Sequence, residues 1–135
     1  MNAYQKFKKK TFLVVEDDRS SRMLVKHFLE SMDIQVVDAE TGEKALDLLK
    51  HEKVEGILMD IALGAGMNGI DTGRSIKASG EYSEAPMIAV TTYERSQLQG
   101  FEDSGFTGYL QKPYTAEELK AALAGQVTKK RRVIY

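Results

Sequence analysis

The sequence contains no cysteine in 135 residues. This excludes thiol nucleophiles, cysteine-based zinc sites and disulfides, and is compatible with the cytoplasm. No apolar run approaches the ~20 residues of a membrane span. The start, Met1 to Lys10, is polar and lysine-rich and lacks the apolar segment of a signal peptide. Neither sign of charge dominates: the formal net charge is −1, so nothing overall calls for nucleic acid or an anionic membrane. Prolines are scarce, only Pro86 and Pro113. There is no internal repeat, low-complexity tract or interdomain linker, and the length suits one cytoplasmic domain with a proper core.

What the chain has is five short apolar runs, each bounded by turn residues: Phe12–Val15, Ile34–Val37, Ile57–Asp60, Pro86–Thr91 and Thr107–Gln111. Such runs read as strands buried on both faces. Helical spacing falls between them. The first helix is predicted over about Ser20–Met32, with Leu24, Val25, Phe28, Leu29 and Met32 on one face. Thr41 offers an N-cap for the second, which presents Ala45, Leu46, Leu48 and Leu49. A weakly patterned third helix holds Ile70, Ile76 and Ala78 and ends near Gly80. A fourth is predicted from Glu94 to Ser104 with Leu98 and Phe101 inward, weakened at Gly100 by ~1 kcal/mol and closed by Gly105. Thr115 and Glu118 form a capping box that launches the last helix, with Leu119, Ala122 and Leu123 inward.

Five strand–helix alternations imply right-handed βαβ units. The expected fold is a single-domain, doubly wound α/β sandwich, (βα)5 and flavodoxin-like, with a parallel sheet in the order 2-1-3-4-5. The expected organisation is a basic arm over 1–10 (Lys6, Lys8, Lys9 and Lys10), a domain over 11–127, and a basic tail over 128–135 around Lys129–Arg132. Charge runs at termini are usually solvated, so nucleic-acid binding is not expected.

The chemistry gathers at the strand ends. Glu16 and Asp17 follow the first strand and Asp60 ends the third. In this order strands one and three flank the topological switch point, where doubly wound sheets bind ligands. Two like charges 4 Å apart repel by ~4 kcal/mol at an effective dielectric near 20, so three carboxylates in one cleft call for protons or a cation. Oxygen-only ligands point to Mg²⁺. Thr91 ends the fourth strand with a hydroxyl, and Lys112, just before Pro113, ends the fifth with an ammonium. A metal, a lysine and a hydroxyl around one carboxylate suit an oxyanion or phosphoryl group, with the carboxylate as nucleophile. Taken singly, Asp60, Asp17 and Thr91 could each be a helix cap and Lys112 a solvated charge.

Val14-Val15-Glu16-Asp17-Asp18, Met59-Asp60, Val90-Thr91 and Tyr109-Leu110-Gln111-Lys112-Pro113-Tyr114 together resemble the signature of response-regulator receiver domains, over about Thr11 to Gly125. The resemblance implies that Asp60 is the phosphoacceptor. It also implies that Glu16, Asp17, Asp60 and the backbone carbonyl of Ala62 hold Mg²⁺. Thr91 and Lys112 would contact the phosphoryl oxygens, and Thr91 and Tyr109 would switch together. Lys112–Pro113 would be a cis peptide. The partner would be a histidine kinase or histidine phosphotransfer protein, and output would leave through the fourth helix, fifth strand and fifth helix. The chain departs from the family pattern in the loop Gly64-Ala65-Gly66-Met67-Asn68-Gly69, which has no proline and carries a one-residue insertion. Thr92 is larger than the alanine or serine often found there.

Two rivals fit less well. A Mg²⁺-dependent phosphatase with an aspartyl-phosphate intermediate generally needs a second Asp two residues after the nucleophile as general acid, where Ala62 stands. A flavin- or nucleotide-binding module needs a glycine- or hydroxyl-rich cradle after the first strand, where Glu16-Asp17-Asp18 would repel phosphate. His27 and His51 read as helix-surface residues. The expected role is a phosphoacceptor that catalyses its own phosphorylation and slow dephosphorylation, not a dedicated enzyme.

Overall fold

The structure, a computed structural model, describes residues 3–64, 66–101 and 103–130, with side chains up to 127. The apolar runs become β1 (Thr11–Val15), β2 (Gln35–Ala39), β3 (Gly56–Asp60), β4 (Met87–Thr91) and β5 (Gly108–Gln111). All pair in parallel in the order β2-β1-β3-β4-β5. The helices are α1 (Arg19–Ser31), α2 (Gly42–Leu49), α3 (Gly69–Ala78) and α4 (Ala116–Lys130). No described helix is long and apolar enough to cross a membrane.

Side chains of the central strands β1, β3 and β4 alternate between two apolar layers, which is why those runs contain almost no polar phase, while the edge strand β2 exposes Gln35 and Asp38. Phe12, Val14, Leu58, Ile88 and Val90 pack under α1 and α4, against Val25, Leu29, Leu119 and Leu123. Leu13, Val15, Ile57, Met59 and Met87 face α2 and α3, against Ala45 and Ile76. The weak pattern of α3 has a cause: small residues Thr72 and Gly73 occupy buried positions, while Ala78 is exposed.

The predicted helix over 94–104 does not form. The fourth crossover carries one 3₁₀ turn, Arg95–Gln97. Gly100 sits at φ 78° and Gly105 at φ 90°, left-handed conformations that glycine adopts at no steric cost and that an α-helix cannot contain. The reversal lets Phe101 stack on Phe106 at 5.5 Å and meet Tyr109 edge-on at 6.3 Å. The doubly wound, flavodoxin-like sandwich stands, with five strands and four α-helices among the described residues, the 3₁₀ turn taking the place of the expected fourth helix.

The N-terminal arm is also corrected. Lys6, Lys8, Lys9 and Lys10 are exposed, but Ala3–Phe7 forms a 3₁₀ helix. Phe7 is 3% exposed and packs edge-on against Phe12 at 5.2 Å. The Lys120 ammonium lies 5.7 Å from the Tyr4 ring, a cation–π contact to α4. On α1, Leu24 faces solvent rather than the core and is 48% exposed, beside Met23 at 59%. Beyond Lys130 the basic tail lies outside the described residues.

Candidate functional site

The site is built from what each strand delivers at its carboxyl end. One residue past β1, Glu16 donates its N–H to Ala39 O at 3.0 Å, continuing the β1–β2 ladder, and is buried. Asp17 follows it and is exposed. Asp60, the last residue of β3, is 6% exposed, and its Oδ1 accepts the Ala62 N–H at 3.1 Å. Carboxylate oxygens of Glu16, Asp17 and Asp60 lie within 4.8 Å of one another.

Thr91 ends β4, is buried, and its hydroxyl oxygen accepts the Tyr93 N–H at 3.2 Å. The Lys112 N–H donates to Thr91 O at 2.7 Å, which sets Lys112 beside it. The Lys112 ammonium donates to Glu16 Oε1 at 2.5 Å and stands 3.8 Å from Asp60 Oδ2. The Lys112–Pro113 peptide is cis. Burial pushes the Glu16 carboxyl up to about 7; the Lys112 hydrogen bond pulls the other way, and neighbouring Asp60 raises it further.

The helix-cap readings fall to other residues. Asp18 caps α1, accepting the Ser21 N–H at 2.8 Å, a bond that holds its carboxyl below the usual range. Asn68 caps α3 through the Asp71 N–H, and Glu94 precedes the 3₁₀ turn. Asp17 instead accepts the Gly64 N–H at 2.8 Å, tying the loop after β3 to the loop after β1. Gly69 permits that loop's return: a Cβ there would lie 2.2 Å from Asp60 O.

Tyr109 is half-buried, and its hydroxyl donates to the Tyr93 carbonyl. The Tyr93 ring itself is 47% exposed. Sequence reasoning missed Arg22. Its Nη1 donates to Glu16 O at 2.8 Å and its Nε lies 3.7 Å from Asp38 Oδ2; no spacing rule signals a contact that depends on the geometry of the turn between β1 and α1.

Three clustered carboxylates with one ammonium form an oxygen-rich donor set that fits a hard divalent cation. The sequence model described as "Response regulator receiver domain" matches residues 12–124. This chain belongs to that family.

The receiver is 36% identical over 113 residues to the transcriptional regulatory protein CpxR of Escherichia coli, covering 82% of this chain and 46% of that protein. It therefore spans about half the length of that curated relative. Against the chemotaxis protein CheY-3 of Vibrio cholerae it is 32% identical over 113 residues, covering 82% of this chain and 86% of that one. Among solved structures, the receiver domain of a sensor histidine kinase from Pseudomonas aeruginosa superposes with a TM-score of 0.77 at 27% identity. That match covers 88% of this chain and 98% of the other, and the crystal holds a magnesium ion in its active-site cleft.

Proposed function

We propose that this receiver, a phosphoacceptor over residues 11–127, takes a phosphoryl group from a phosphohistidine donor onto Asp60. The observation that carries the reading is convergence: Glu16, Asp17, Asp60, Thr91 and Lys112 leave four different strands and meet at one end of the sheet. In the transfer, an Asp60 carboxylate oxygen forms a bond to phosphorus as the donor's P–N bond breaks. The imidazole nitrogen keeps the bonding pair and gains a proton, and Asp60 becomes an acyl phosphate.

Lys112 suits the pairing of a new phosphoryl oxygen, since its ammonium already stands beside Asp60 Oδ2 and is steadied by Glu16. The Thr91 hydroxyl, at the end of the neighbouring strand, would donate to another. Glu16, Asp17, Asp60 and the Ala62 carbonyl would hold Mg²⁺. When bound, that ion neutralises charge on the transferring group. Ala62 offers no general acid, which favours a stoichiometric acceptor with slow self-dephosphorylation over a dedicated phosphatase.

Two further features support a helical histidine-bearing donor. Met23 and Leu24 are exposed on α1. A hollow of about 300 Å³ beside them is lined by Ser21, Leu24, Thr92, Lys112, Pro113 and Tyr114, so an apolar face lies next to Lys112, where a helix could dock. Output would run from Thr91 through the Tyr109 hydroxyl and the 3₁₀ crossover to β5 and α4. The test is labelling with acetyl phosphate and Mg²⁺. One phosphoryl group per chain is expected on the wild type and none on Asp60→Asn; full labelling of that variant overturns the assignment.

A further inference from the structure

Glu16 has to hold its side chain toward Lys112 from a position beyond the end of β1. Its N–H is anchored on β2 through Ala39 O at 3.0 Å. Its C=O takes a side-chain donor, Arg22 Nη1, at 2.8 Å. Arg22 belongs to the start of α1 and folds back over the turn that carries Glu16 and Asp17. Its guanidinium is braced from behind, with Nε 3.7 Å from Asp38 Oδ2 on β2, and the Arg22 side chain is only 19% exposed.

The peptide joining Glu16 to Asp17 is a rigid plane. Fixing its carbonyl oxygen restrains that plane and with it the two flanking Cα atoms, which carry two of the three clustered carboxylates. We infer that Arg22 is a positioning residue for the metal site, holding the Glu16–Asp17 peptide in place while Asp38 steadies its guanidinium. The inference rests on the acidic cluster binding Mg²⁺, as proposed above.

Charge and position make opposite demands here, which gives the inference a sign. A cation acting only through its field would repel Mg²⁺, so its removal would tighten binding. A cation acting by orientation does the reverse. Positioning is expected to prevail because Asp38, 3.7 Å away, offsets the charge of the guanidinium, whereas its hydrogen bond to the peptide is short and direct.

The experiment is a calorimetric Mg²⁺ titration of the full chain as wild type, Arg22→Ala and Asp38→Asn. Arg22→Ala should raise the Mg²⁺ Kd ~10-fold, the low end for groups that orient metal ligands. Asp38→Asn keeps the guanidinium but loosens it, and should raise the Kd by a smaller factor. The amide nitrogen of Asp17 belongs to the same peptide, so its resonance should shift in Arg22→Ala before Mg²⁺ is added. Unchanged or tighter Mg²⁺ binding by Arg22→Ala overturns the inference. Should that variant fail to fold, Asp38→Asn decides: an unchanged Kd overturns the inference and a raised one supports it. A wild type that binds no Mg²⁺ overturns the metal site and this inference together; a binding wild type with unaltered variants overturns the inference alone.

Discussion

Lys112 is bonded to Glu16, not to Asp60: its ammonium donates to Glu16 Oε1 at 2.5 Å and stands 3.8 Å from Asp60 Oδ2. The lysine is therefore held within reach of Asp60 by a neighbouring carboxylate. Removing it should leave the Asp60 nucleophile in place while deleting the anchor for a new charge. Lys112→Ala is expected to accept phosphate from acetyl phosphate but to lose the linked movement at Thr91 and Tyr109. The check is the amide chemical-shift change of α4 on adding beryllofluoride. A wild-type pattern in Lys112→Ala removes Lys112 from the relay.

Glu16 makes stability depend on pH. Its folded-state carboxyl is raised, chiefly by burial, to about 7 from an ordinary 4.5. The folded chain thus binds this proton more tightly than the unfolded chain. Its stabilising contribution is full below the unfolded value and is lost as pH rises through about 7. Glu16→Gln mimics the protonated form. In urea unfolding with chelator present, the wild type should lose stability relative to Glu16→Gln between pH 5 and 8, by ~2–3 kcal/mol at most. A difference that stays flat over that range contradicts the shift.

The exposed Leu24 separates docking from chemistry. Leu24→Glu puts a charge on the apolar face of α1 beside the hollow next to Lys112. It should slow transfer from a phosphorylated histidine partner ~10-fold, equivalent to ~1.4 kcal/mol, and leave labelling by acetyl phosphate unchanged. Equal slowing with both donors would place the defect in the site rather than in docking.

Phosphoryl lifetime should depend on Ala62. The residue is exposed, and its methyl group cannot orient an attacking water. Ala62→Asn should speed loss of the phosphoryl group ~10-fold, followed as decay after donor removal with excess Mg²⁺. A Tyr93 ring leaning over the site would exclude solvent from it. The ring is instead 47% exposed, so shielding of the acyl phosphate is not assigned to it. Unaltered decay in Ala62→Asn would mean that another group controls the water.

Phe7 tests the N-terminal segment. It is buried against Phe12, so Phe7→Ala should cost about 3 kcal/mol in denaturant unfolding, as for other large-to-small changes in a core. Loss of less than a tenth of that would return the segment to a solvated arm.

Much of the fold was legible because the central strands β1, β3 and β4 are almost wholly apolar and the helices that flank the sheet have recognisable starts. Thr41 caps α2 through the Lys44 N–H, and Thr115 and Glu118 make the reciprocal bonds of a capping box. The residues converging on Asp60 were legible because each ends a strand. The fourth crossover was not: Leu98 and Phe101 have helical spacing, yet Phe101 is buried by a left-handed turn at Gly100, and periodicity carries no information about the sign of φ. Phe7 was hidden by the lysines around it. Arg22 was hidden because its partner is a backbone carbonyl, which has no side-chain signature.

The N-terminal 3₁₀ turn has a mechanical consequence. Phe7 shares one apolar cluster with Phe12, Leu123 and Val127, so both ends of the described fold are fastened at the edge of the sheet where the strands begin. Tension applied across the two ends would load that cluster as a shear joint between β1 and α4. The strand ends bearing Asp60 and Lys112 lie at the opposite edge, outside the direct load path. Such a pull would thus strain the base of the sheet well before it distorted the cluster around Asp60.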